Sequence, residues 1–138
     1  MKTTISILLI LLLASCANKV STEDLVHLNG YWEIEKVEFP DGSTKEYSLN
    51  ATVDYFQVAD MMGYRKKVQP LLDGSYQTSD DAEKFTIYEY NGELLLRYKN
   101  DLSEWEEKIR LLTPNQCVFV NQELIAYHYI RFEPINLE

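Results

Sequence analysis

Residues 85–99 read Phe-Thr-Ile-Tyr-Glu-Tyr-Asn-Gly-Glu-Leu-Leu-Leu-Arg-Tyr-Lys. Two strand-like runs, Phe85 to Tyr90 and Glu93 to Lys99, flank Asn91-Gly92. Asn-Gly between such runs is the strongest short-range hairpin signal, because both central residues of the tight turn need positive φ. This segment predicts two antiparallel strands and sets the pattern for the rest of the chain.

On the N-terminal side the same punctuation recurs. Tyr31 to Phe39 is a run closed by Pro40-Asp41-Gly42, where Pro fixes φ and Gly supplies a positive one. Runs follow at Lys45 to Leu49, Val53 to Val58, Met62 to Val68 beyond a turn near Ala59-Asp60, and Ser75 to Thr78 after Asp73-Gly74. Acidic Ser79 to Glu83 reads as a loop. On the C-terminal side, turns at Asn100-Asp101 and Thr113-Pro114-Asn115 precede Cys117 to Val120 and Leu124 to Phe132.

The segment between Asn100 and Pro114 carries two patterns. Leu102, Trp105, Ile109 and Leu112 fit a helical stripe with a capping box at Ser103 to Glu106. Trp105, Ile109 and Leu111 fit a strand face, with Glu107 standing awkwardly among them. The short turns on either side favour the strand. Before Gly30, Ser21 to Asp24 has helix-start chemistry and Gly30 stops it, so at most a turn or two of helix leads the domain. Eight to ten short strands with almost no helix predict an all-β fold, an up-and-down antiparallel barrel or a sandwich.

The first fifteen residues form a separate unit. Lys2 is followed by an apolar run from Ile5 to Leu13, then Leu13-Ala14-Ser15-Cys16. A cationic start, an apolar stretch too short to span a bilayer and small residues before a cut site describe a signal peptide. Cys16 directly after Leu-Ala-Ser resembles the lipobox of bacterial lipoproteins. That resemblance implies cleavage before Cys16, a diacylglycerol thioether on its sulfur and usually a further acyl chain (palmitate or similar) on its amine; the competing reading is ordinary cleavage and release. The expected organisation is residues 1–15 as signal peptide, 16–24 as lipidated tether and 25–138 as one barrel domain. Two or more acyl chains hold a protein firmly to a membrane, where one chain is marginal. Ala17 favours sorting to the outer membrane.

Removal of Lys2 with the leader leaves twelve cations against twenty-two carboxylates, a net charge of −10. Phosphate backbones repel such a surface, so nucleic acid is not an expected partner. Cys117 is the second of two cysteines; with Cys16 acylated it has no disulfide partner and reads as a buried, inert thiol. His27 and His128 are far apart in sequence, and no ligand spacing suggests a metal site. Asp80, Asp81 and Glu83 lack the spacing and central glycine of a calcium loop. No phosphate loop, dinucleotide fingerprint or nucleophile elbow is present, so neither enzyme chemistry nor a cofactor is expected.

Leu28-Asn29-Gly30-Tyr31-Trp32 resembles the Gly-x-Trp signature that opens the first strand of lipocalins. Asp73-Gly74-Ser75-Tyr76, Trp105-Glu106-Glu107-Lys108-Ile109 and Leu111-Leu112-Thr113 before Val118-Phe119-Val120 are similar to the small lipocalin-like lipoproteins of Gram-negative bacteria. The similarity spans roughly residues 28 to 133. It implies a lipocalin-like barrel with Trp32 plugging one end and Arg131 packed across the indole.

In a barrel alternate side chains point inward. Phase then groups Trp32 with Ile34, Val53 with Tyr55 and Gln57, Phe85 with Ile87, and Ile125 with Tyr127, Tyr129 and Arg131. Val37 and Phe39 are out of phase with Trp32 and Ile34, which predicts a bulge between them. The candidate ligand-binding set is Trp32, Tyr55, Tyr127, Tyr129 and Arg131, with closure over Trp32 a competing role for the arginine. Ten tyrosines suit a small hydrophobic or amphipathic ligand. The expectation is a monomeric, envelope-tethered binding protein; the alternative is a filled barrel used as an interaction or envelope-assembly module. Arg65-Lys66-Lys67 reads as a solvated basic hairpin, or as a contact for an acidic partner in that alternative.

Overall fold

Asn91 and Gly92 both hold positive φ, 52° and 75°, and join two strands paired from Phe85↔Tyr98 to Tyr90↔Glu93. The hairpin read from the sequence is therefore present in the computed structural model, which describes residues 19–134. The stretch read as signal peptide, Cys16 and the first residues read as tether lie outside the described residues.

A short 3-10 helix, Thr22–Leu28, comes first. The strands are β1 (Gly30–Glu38), β2 (Thr44–Glu46), β3 (Val53–Ala59), β4 (Met62–Pro70) and β5 (Tyr76–Thr78), then β6 (Glu83–Tyr90), β7 (Glu93–Lys99), β8 (Glu104–Leu112), β9 (Gln116–Asn121) and β10 (Ala126–Arg131). Around the sheet the order is β1-β3-β4-β6-β7-β8-β9-β10, and β10 pairs back onto β1. All of these pairings are antiparallel. Eight strands thus close an up-and-down barrel, with β2 an extra strand on β1 and β5 on β4. Closure removes the sheet edges that an open sheet would expose.

The contested segment is β8, and Leu102, the first residue of the helical stripe, is exposed. The bulge expected in β1 lies between Ile34 and Lys36, and β8 has a second between Ile109 and Leu111. The β3–β4 turn falls at Asp60-Met61, one residue later than expected, and both hold positive φ. Ordered structure also reaches into the stretch read as tether, because Val20 packs on the core and the helix opens at Thr22. Asp24 caps it by accepting the Ser21 N–H at 2.8 Å.

The helix packs on β3 and β8 and covers one end of the barrel. There Leu25, Leu28, Trp32, Phe56, Phe85, Leu94, Leu96, Ile109 and Phe119 form a continuous apolar core. Trp32 is fully buried, and its indole N–H donates to the Leu28 carbonyl at 2.8 Å. The half of the barrel nearer the helix is solid. The other half is not.

Candidate functional site

Beyond the apolar core, a cavity of about 280 Å³ is lined by Arg65 and Lys67 of β4, Trp105 and Glu107 of β8, Asn121 of β9, and Tyr127 and Tyr129 of β10. β4, β8 and β10 each supply two residues two apart, as inward alternation requires. β4 enters this phase because Arg65 pairs with Phe56 and Lys67 with Asp54, and Phe56 is core.

The lining is charged. Arg65 Nη2 lies 2.6 Å from Glu83 Oε2, and Nη1 lies 3.5 Å from Glu107 Oε1. Its guanidinium stands 5.0 Å from the Tyr98 ring centroid and 5.9 Å from that of Phe56. Lys67 Nζ sits 2.8 Å from Oδ1 of buried Asp54, close enough for an ion pair but off the angle a hydrogen bond needs. Tyr98 is fully buried, and its hydroxyl has no hydrogen-bond partner among the described residues. Burial normally costs such a group about 1–3 kcal/mol. Its ring stacks on Trp105 with centroids 5.1 Å apart and planes 5° from parallel.

These contacts set the titration of the site. Burial pushes the Glu107 carboxyl above its usual range, and the attraction of Arg65 does not fully offset it. Burial works against the Arg65 charge, but the facing Glu107 and Glu83 carboxylates outweigh it, so the guanidinium stays charged. Burial also raises the Tyr98 and Tyr129 hydroxyls far above the ordinary phenol value, and that of Tyr127 less far. The tyrosines are therefore neutral donors and acceptors beside a guanidinium that stays charged.

Of the five expected ligand-binding residues, Tyr127 and Tyr129 line this cavity. Trp32 lies below it in the apolar core. Arg131 covers Trp32 with its guanidinium carbon 3.9 Å from the ring centroid. It also donates to the carbonyls of Asn29, His27 and Pro114, tying the helix and the β8–β9 turn to β10. Its place is structural, at the closed end. Tyr55 is a correction. β3 pairs Tyr55 with Tyr31 and Asp54 with Trp32, and directly paired residues share a face. Asp54, Phe56 and Val58 therefore face inward, while Tyr55 joins Tyr31, Tyr64 and Tyr76 in an outer aromatic cluster.

The basic run is the second correction. Arg65 faces inward and is mostly buried, Lys67 shares its phase at the open mouth with its side chain 65% exposed, and Lys66 takes the outward phase, so this is not a uniformly solvated hairpin. Phase carried the missing signal, since Arg65 and Lys67 are two apart and Glu107 stands between Trp105 and Ile109. Cys117 is fully buried and burial pushes its thiol up. His128 lies 3.2 Å from Glu38 and 3.4 Å from Arg110. Among the described residues no three His, Cys, Asp or Glu side chains stand together as a metal site would require, and no helix is long and apolar enough to cross a membrane.

No protein-family model and no curated protein matches the chain. Among solved structures, it is similar to a lipocalin-like protein from Bacteroides uniformis, at 12% identity and a TM-score of 0.48, over 77% of this chain and 99% of the other. The barrel itself is established by the strand order and by the β10–β1 closure.

Proposed function

We propose that this is a membrane-tethered, non-catalytic binding protein of the cell envelope that holds a small amphipathic molecule in its barrel. The observation that carries the reading is the half-filled interior. Apolar side chains pack one half solid, and the other keeps a cavity lined with charges and aromatic rings. A barrel serving only as a docking module gains nothing from burying Arg65, Glu107 and an unpartnered Tyr98 hydroxyl, since each is costly to desolvate.

The lining also narrows the ligand. At about 280 Å³ the cavity is near the lower limit of small-molecule sites, roughly 300 Å³, and has little room for a long acyl chain. An aromatic or short apolar body fits against Trp105, Tyr127 and Tyr129. A polar end meets Arg65, Lys67 and Asn121. The tether rests on the Leu13 to Cys16 motif, and Cys16→Ala should abolish incorporation of labelled palmitate.

Native mass spectrometry on the domain purified without Cys16 from its own envelope extract tests the binding reading. A reproducible added mass released by denaturation is expected, and Tyr129→Trp should remove it by filling the cavity. A bare mass that no small aromatic acid joins when offered in excess would overturn the reading.

A further inference from the structure

The outer wall of the barrel carries a second concavity, separate from the interior. A groove of about 640 Å³ crosses β3, β4, β6 and β7, and most of its side chains come from the outward phase of each strand: Gln57 and Ala59, Met62 and Tyr64, Lys84 and Thr86, Arg97 and Lys99; Asp60 of the β3–β4 turn, Gly63 and Phe85 also border it. Its floor is low because Ala59, Gly63 and Thr86 are small. Gly63 belongs to the inward phase, paired with buried Phe85, and a Cβ there would meet the Gln57 carbonyl oxygen at 2.1 Å and the Phe85 ring at 2.9 Å, so only its backbone borders the groove. One wall is fixed by the Tyr64 hydroxyl donating to Gln57 Oε1 at 2.7 Å. Met62 is 57% exposed at one end.

The other end is cationic on a chain whose net charge is −9. Phe85 pairs with Tyr98, which sets Lys84 and Lys99, one residue further out, side by side on neighbouring strands. Like charges so placed repel each other. Arg97 is neutralised by Glu106 at 2.8 Å and Glu104 at 3.5 Å. Neither Lys84 nor Lys99 is in an ion pair among the described residues. Their aliphatic stems extend the apolar wall while their ammonium groups stay at its edge. The result is a small-residue trough with Lys84 and Lys99 at one end, Lys99 opposite Glu104 in the β7–β8 register but outside ion-pair distance of it, and Asp60 in the lining beyond Met62.

We propose that this groove binds a single-chain fatty carboxylate, its head between Lys84 and Lys99 and its tail along Ala59, Gly63, Thr86 and Met62. The charge of the groove selects the head, and its length and apolar floor select a chain. The interior cavity differs from it, being smaller and walled by the buried Arg65–Glu107 pair. The groove reading therefore stands whether or not the interior binds anything.

Calorimetric titration of the purified full-length protein with dodecanoate, below its micelle concentration, tests the assignment. One equivalent should bind, and dodecyltrimethylammonium, with the same tail and opposite head, should bind at least about tenfold more weakly. Lys84→Glu/Lys99→Glu should weaken dodecanoate by about tenfold or more, and Thr86→Trp, which fills the floor, should abolish binding. All three positions are exposed, so circular dichroism and melting should be unchanged in both variants. Equal binding of the cationic amphiphile, or no binding to the unaltered protein, overturns the proposal. So does a loss caused by Tyr127→Trp in the interior with Thr86→Trp unaffected.

Discussion

Arg65 on β4 and Glu107 on β8 reach each other across the barrel, Nη1 3.5 Å from Oε1, although two strands separate them in the sheet. This contact bridges opposite walls and forms one boundary of the cavity. Both side chains are mostly buried, so each depends on the other for its charge. Arg65→Met should destabilise the protein by about 3–5 kcal/mol at pH 8, mainly by leaving a buried carboxylate unpaired. Arg65→Met/Glu107→Leu should recover most of that loss. Urea denaturation of the two variants measures both, and an equal loss in the double variant would show that the pair is not coupled.

The same carboxylate sets a pH dependence with a definite sign. Burial raises the Glu107 pKa in the folded state above the ordinary 4.5. The native protein therefore holds a proton that the unfolded chain has already released, and stability falls as pH rises. The contribution is complete below about pH 4.5 and is lost as pH climbs through the raised native value. Glu107→Gln cannot lose that proton. Urea midpoints for the two proteins should diverge between pH 4 and 8, with the wild type falling relative to the variant.

Arg131 should behave as a clamp rather than as a ligand contact. Its cation–π contact with Trp32 and its hydrogen bonds to three carbonyls together suggest that Arg131→Ala costs about 3 kcal/mol. Arg131→Lys should restore only part, because an ammonium lacks the planar fork that serves several acceptors at once. Stability is the diagnostic measurement; ligand affinity of the folded fraction should be unchanged in both variants.

The fold was legible where local chemistry decides it. Asn91-Gly92 needs positive φ at both positions, Gly30 ends the leading helix, and the phase break before Val37 announces the bulge in β1. The site was less legible because inward and outward differ by one residue in a strand. On β3, Val53, Tyr55 and Gln57 are as plausible a lining as Asp54, Phe56 and Val58, and only pairing with β1 selects the second set. Arg65 and Glu107 were hidden for another reason. Each looks like ordinary surface charge within its own strand, and their partnership exists only once the sheet closes and brings β4 opposite β8.

Trp105 offers a direct optical report on the cavity. It lines the space and stacks on Tyr98, whereas Trp32 is sealed at the closed end under Arg131. These are the two tryptophans of the chain. A ligand entering the barrel changes the polarity and quenching around Trp105 and leaves Trp32 alone. The fluorescence response to a bound ligand should therefore survive Trp32→Phe, provided the variant folds, and vanish in Trp105→Phe. Dodecanoate in the outer groove should give little response in either protein, since no tryptophan lines it. Titration of both variants with each ligand separates the two sites, and a response that persists in Trp105→Phe would place the interior ligand elsewhere.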